Sequence, residues 1–200
     1  MARIRSKLQR VAFALAFGLA LAGVAIAPPA MAQQVLNIGS TGADASKLDP
    51  NLSPLTIDNV LFGLVFNGLV RFPPGSLDPE KIQPDLAERW ESSRDGLTWT
   101  FHLRKGVNFH GGYGEFTAED AAYSLNRAAN HKTSAFSSDF VAIDKITAID
   151  KYTLRVTLKN RPPFALGMFT NQRGGLIISK KVDEETKGNY QLNFVHLQVP

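Results

Sequence analysis

Two stretches of the chain alternate between apolar and polar residues. Trp99, Phe101 and Leu103 alternate with Thr98, Thr100, His102 and Arg104, and Tyr152, Leu154, Val156 and Leu158 alternate with Thr153, Arg155 and Thr157. Each predicts a strand with one dry and one wet face. Asp95-Gly96 before the first, and Asp150-Lys151 between Ile146–Ile149 and the second, are turn pairs, so both stretches read as arms of hairpins. Elsewhere the period lengthens. From Asp58 onward Leu61, Leu64, Val65, Gly68 and Leu69 share one helical face, and Pro73-Pro74-Gly75 is expected to stop that helix. Ala118, Ala121, Ala122, Leu125 and Ala129 form a narrower stripe, on a helix that Thr117 caps and that Asn130-His131 ends. Phe109–Gly114 reads as a glycine-bearing turn, Phe164–Thr170 as a short helix and Gly174–Ser179 as a buried strand around Leu176-Ile177-Ile178. Val35-Leu36-Asn37-Ile38 is a β-type run feeding a loop from Ser40 to Pro54. The mixture predicts an α/β (α+β) fold.

The front of the chain follows a different pattern. Arg3, Arg5, Lys7 and Arg10 precede an uncharged, mostly apolar run from Val11 to Ala27, then Pro28-Pro29 and Ala30-Met31-Ala32. A basic end, an apolar core and small residues at the third and first positions before a cut define a secretory signal peptide, with cleavage between Ala32 and Gln33. An uncleaved membrane anchor is the competing reading of the same run. Those four basic residues also account for the whole net charge of +4; after them basic and acidic side chains are equal in number. A basic surface for nucleic acid is therefore not expected. The chain has no cysteine, which excludes disulfides, thiolate nucleophiles and lipid attachment through an N-terminal cysteine, and an exported product of this kind is expected in a periplasm.

Little in the sequence suggests catalysis. No nucleophile elbow, phosphate loop or metal-site spacing occurs, so neither catalytic residues nor a metal or cofactor is expected. Glu119 and Asp120 are adjacent on a helix and suit its positive end better than acid–base work. His102 lies on a wet strand face with no second histidine two residues away, and His110 and His131 have no ligand spacing either. Phe66 and Trp90 sit in elements with an apolar face and read as packing residues. The loop Ser40-Thr41-Gly42-Ala43-Asp44 offers amides and hydroxyls suited to a peptide-like main chain, although an ordinary solvated loop has the same composition.

Several segments together carry a resemblance. Pro84-Asp85-Leu86-Ala87-Glu88-Arg89-Trp90-Glu91, then Asp95 through His110, then Phe116-Thr117-Ala118-Glu119-Asp120 occur in an order similar to that of the family 5 extracellular solute-binding proteins, the periplasmic receptors of peptide- and nickel-type ABC importers. Phe66-Asn67-Gly68-Leu69-Val70 resembles an aromatic-x-Gly-Leu-Val segment of that family, and Leu48-Asp49-Pro50 its early loop. Gly111-Gly112-Tyr113-Gly114-Glu115 departs from the family's shorter Asp-Gly link, and the residues after Lys187 match nothing in its pattern. The resemblance implies a type II periplasmic-binding-protein fold, here its truncated leading portion. Residues 33–50 and 171–200 would belong to the first ligand-binding lobe and 51–170 to a small accessory domain of hairpins and a helix. It also implies a monomer that passes a peptide, nickel complex, opine or sugar to ABC permease subunits in the inner membrane, with residues 40–44 facing the cleft. A non-binding remnant or interaction module that keeps only the accessory domain is the alternative.

Overall fold

The computed structural model describes residues 49–172, 174–188 and 197–198. The expected signal segment, the strand at Val35–Ile38 and the loop Ser40–Asp44 lie outside the described residues. In chain order the elements are α1 (Thr56–Val65), β1 (Val70–Arg71), β2 (Gln83–Pro84), β3 (Ala87–Ser92), β4 (Thr98–Leu103), β5 (Asn108–Phe109), α2 (Ala118–Asn130), β6 (Ile143–Asp150), β7 (Thr153–Leu158), α3 (Lys180–Thr186) and β8 (Leu197–Gln198). The two hairpins join through their alternating strands into one antiparallel sheet of order β3-β4-β7-β6. In its register Phe101 stands opposite Trp90 on one side and Leu154 on the other. Gly96, at φ 72°, makes the first turn where a side chain would strain the backbone.

One face of this sheet is dry. Phe101, Leu103, Leu154, Val156 and Leu158 are buried on it, and α2 lies across it with Ala118, Ala121, Leu125 and Ala128 facing inward. Small side chains let that helix approach closely, and Phe169 packs its ring edge-on to Phe101 at 4.9 Å. A capping box starts α2: the Asp120 carboxylate accepts from the Thr117 amide at 3.0 Å and from its hydroxyl at 2.9 Å.

Four expectations are corrected. The first helix does not run to Pro73 but ends at Val65, with Phe66 already extended at φ −117°, ψ 154°. Asn67 and Gly68 are weak helix formers, and their backbone groups are taken up by other segments: the Ile177 amide donates to Asn67 O and the Leu86 amide to Gly68 O. The buried side of that helix is also not the expected one. Phe62 and Phe66 are buried while Leu64 is 69% exposed; the two rings meet edge-on at 5.9 Å within the core. Finally, Gly174–Ser179 is buried throughout but joins β pairing only at Leu176, opposite Gly68; its other backbone bonds go partly to the Asn67 and Gln172 carbonyls and partly to side chains described below. The short helix expected at Phe164–Thr170 is a 3-10 turn over Leu166–Phe169.

Gly68 is required by close approach. A Cβ there would stand 2.7 Å from both Asn171 N and Thr170 C, which are backbone atoms that cannot swing aside. Gly68→Ala is expected to cost about 1–3 kcal/mol, by overpacking, read as a lower urea midpoint; an unchanged midpoint would show that the two segments are not in contact.

Candidate functional site

Asp49 is the first described residue after the loop Ser40–Asp44, and it is held firmly. Arg127, in the last turn of α2, reaches it with both terminal nitrogens, Nη1 to Oδ1 at 2.7 Å and Nη2 to Oδ2 at 2.6 Å. The Arg127 Nε contacts Asp183 Oδ2 at 3.1 Å, and all three side chains are only 7–8% exposed. The Tyr123 hydroxyl donates to the same Asp183 oxygen. Burial, followed by that hydrogen bond and the Asp183 charge, pushes the Tyr123 phenol up to about 12, so it stays protonated and donating. A fork-to-fork guanidinium–carboxylate pair is both strong and directional. Here it ties the segment entering at Asp49 to α2 and α3.

The neighbouring polar groups extend this anchorage. Asn51 donates from Nδ2 to Gly174 O at 3.2 Å and to Leu176 O at 2.9 Å. Ser124 Oγ accepts from the Ile178 amide at 2.9 Å, and the second Asp120 oxygen accepts from the Lys180 amide at 3.1 Å. Asp120, Tyr123, Ser124 and Arg127 thus form a row at helical spacing, on a different side of α2 from its alanines. Every member of the row contacts residues 178–183 or Asp49. Burial raises the Asp120 carboxyl against the amide and hydroxyl bonds that lower it.

A second junction joins two of the resembling segments. Asp85, 4% exposed, accepts from Asn67 Nδ2 at 2.9 Å and from the Gly68 amide at 3.2 Å. Arg104 Nε donates to the Asp85 carbonyl at 2.6 Å. Burial is the largest influence on the Asp85 carboxyl and raises it. The Phe66–Val70 and Pro84–Glu91 segments are therefore adjacent because one carboxylate binds the other segment's backbone.

Glu115 closes the glycine-bearing loop, accepting from the Gly106 amide at 2.6 Å, Lys151 Nζ at 2.7 Å and the Tyr152 hydroxyl at 2.9 Å. Those bonds, that to Lys151 foremost, hold its carboxyl down at about 2. A lowered folded-state value means stability that is complete above the ordinary glutamate range and is lost as pH falls through it toward 2. The stability difference between wild type and Glu115→Gln is expected to be constant above pH 6 and to shrink steadily below about pH 4.5, the ordinary carboxylate range. A difference independent of pH from 6 to 2 would contradict the contact.

The structure does not bring the histidines together. His102 Nε2 faces Glu91 Oε1 at 3.3 Å, His131 Nδ1 contacts the Thr133 hydroxyl at 3.0 Å, and His110 begins a separate 3-10 turn. Among the described residues no three His, Asp or Glu side chains are grouped to hold a metal ion. Phe66 is buried and Trp90 half-buried against the core. Sequence reasoning missed the Asp49–Arg127–Asp183–Tyr123 cluster. Its one legible sign was the second, polar periodicity of α2.

The chain matches the family model "Bacterial extracellular solute-binding proteins, family 5 Middle" over residues 81–195, and it belongs to that family. The heme-binding protein A of Haemophilus influenzae is 39% identical over 114 residues, covering 47% of this chain and 20% of that protein. Among solved structures, the periplasmic binding protein MoaA of A. tumefaciens R10, in complex with mannopinic acid, is 44% identical with a TM-score of 0.72, covering 76% of this chain and 31% of that one. The periplasmic binding protein DppA of Helicobacter pylori, in complex with the peptide STSA, is 30% identical with a TM-score of 0.65, covering 78% and 34%. The chain thus spans about a third or less of the length of these relatives. Its mixed α/β architecture is that of part of a periplasmic binding protein, and its family is one of binding proteins rather than enzymes.

Proposed function

We propose that this chain is the leading part of a periplasmic solute-binding protein of an ABC importer, which captures peptides or similar small solutes and delivers them to permease subunits in the inner membrane. The supporting observation is the likeness in fold, at 44% identity, to a receptor solved with its small-molecule ligand. In this reading the protein is an exported monomer without enzymatic activity, cut between Ala32 and Gln33. Residues 33–50 and 171–200 contribute to the first lobe, 51–170 form the accessory domain, and Ser40–Asp44 line the cleft. The Arg127 cluster supports that arrangement, since it joins Asp49 and Asp183, one from each lobe segment, to a helix of the accessory domain. Binding of a ligand would then favour a closed arrangement of lobes by differential affinity.

The test is calorimetry on the protein purified, with its intact mass, from its own host. Peptide STSA and mannopinic acid serve as the first probes, followed by nickel complexes and sugars. Saturable heat with any of them supports the reading and chooses the ligand class. No heat with the whole panel from a protein of receptor length would end it, and an intact mass equal to Gln33–Pro200 with no binding would favour an interaction module instead.

A further inference from the structure

Of the asparagines in the chain only Asn67 is followed by a glycine. That dipeptide carries a chemistry of its own. With no side chain at the second position to obstruct it, the Gly68 nitrogen can attack Asn67 Cγ: the nitrogen gives up its proton, the N–Cγ bond forms, the Cγ–Nδ2 bond breaks, and Nδ2 leaves as ammonia with that proton. Water then opens the five-membered imide at either of its carbonyls and leaves aspartate or isoaspartate at position 67. The reaction needs no catalyst, only freedom for the Asn67 side chain and the peptide after it to fold onto each other.

The structure removes that freedom. One carboxylate holds both the nucleophile and the leaving group: the Gly68 amide donates to Asp85 Oδ2 at 3.2 Å and Asn67 Nδ2 donates to Asp85 Oδ1 at 2.9 Å. The two carbonyls are fixed as well, Asn67 O by the Ile177 amide at 2.9 Å and Gly68 O by the Leu86 amide at 3.1 Å, and Gly68 backs onto the Thr170–Asn171 peptide. Closing the ring would swing Cγ toward the Gly68 nitrogen and pull Nδ2 off Asp85, at a place where Gly68 and Asp85 are both buried from the water that completes the reaction. We propose that Asn67-Gly68 is a latent self-modification site, kept unreactive by the Asp85 carboxylate and open to deamidation only in molecules that have lost this junction. The labile pair is imposed by the fold, because the close approach at 68 admits only glycine and position 67 must donate to Asp85. Its product is not taken back. A carboxylate at position 67 would face the buried Asp85 as a like charge, so the group that protects the asparagine rejects what the asparagine becomes, and a molecule left unfolded is marked by its own chemistry. The inference requires no ligand and stands or falls separately from the transport reading.

The test uses the whole protein purified from its own host and follows the Asn67 peptide by mass spectrometry, as the gain of one mass unit and as isoaspartate. In mildly alkaline buffer the native protein is expected to deamidate at Asn67 at least about tenfold more slowly than the same protein in urea, since reaction must await opening of the junction. Asp85→Asn, which turns one of the two acceptors into a donor facing donors, is expected to speed the native reaction severalfold. Equal rates in the native protein and in urea would overturn the proposal. So would a folded Asp85→Asn protein that reacts at the wild-type rate or more slowly, the slower rate marking Asp85 as a base that promotes the attack. If Asp85→Asn does not fold, the product itself reads the contact: Asn67→Asp is expected to lower the urea midpoint, and Asn67→Asp combined with Asp85→Asn, which exchanges carboxylate and amide across the same contact, to recover most of that loss. No recovery in the exchanged pair would also overturn the proposal.

Discussion

Arg127→Met is expected to lower the stability of the chain by about 3–5 kcal/mol, because it leaves two buried carboxylates facing each other without their cation. For a domain stabilised by about 5–15 kcal/mol in total, that is a large share. The effect comes mainly from the charges left behind. Asp49 and Asp183 are 7% and 8% exposed and cannot turn to water, and the Asn51 amide on Asp49 and the Tyr123 hydroxyl on Asp183 are neutral donors that do not balance the charge. Adding Asp49→Asn and Asp183→Asn to Arg127→Met removes those charges and is expected to recover more than half of the loss. Urea unfolding of the single and triple variants at pH 7 separates the two contributions. A single variant as stable as wild type would mean that the cluster is solvated and anchors nothing.

The second large effect belongs to Phe169. Its ring is fully buried and stands edge-on to Phe101 at 4.9 Å and 66°, where the 3-10 turn Leu166–Phe169 meets the dry face of the sheet. Phe169→Ala is expected to cost about 3–5 kcal/mol through lost burial and the cavity that remains. Phe164 lies five residues earlier and is 38% exposed, packed loosely against Phe72 at 6.2 Å; Phe164→Ala is expected to cost less than about 1 kcal/mol. Equal losses in thermal or urea unfolding would contradict the assignment of Phe169 to the core.

The sheet was the most legible part of the fold, since a period of two with turn pairs leaves few alternatives for Thr98–Leu103 and Thr153–Leu158. The second helix was legible for a related reason, with Thr117 and Asp120 at its start and alanines at regular spacing. The first helix misled because apolar residues lie on more than one of its sides, and periodicity alone could not separate the side taken by Phe62 and Phe66 from the side holding Leu64. Its end was hidden as well. Asn67 and Gly68 only weaken the helix locally; the stop is completed by bonds to Asp85 and Ile177, partners far along the chain. The same holds for Asp49, Arg127 and Asp183, whose pairing depends on three distant segments meeting. Sequence resemblance supplied the family, while the described residues supply the anchorage behind the expected ligand loop rather than the loop itself.

The polar row of α2 also sets an order of events in folding. Its partners lie far off in sequence, 54 residues from Ser124 to Ile178, 60 from Asp120 to Lys180 and 78 from Arg127 back to Asp49. The hairpin of β3 and β4, by contrast, closes through a turn of a few residues. Contacts of long separation form late because loop closure has to be met first. During synthesis from the N-terminus, the sheet and α2 are therefore complete before Asp183 leaves the ribosome. Asp49 precedes Arg127 in the chain and Asp183 follows it, so the ion pair to α3 is the later of the two to become possible.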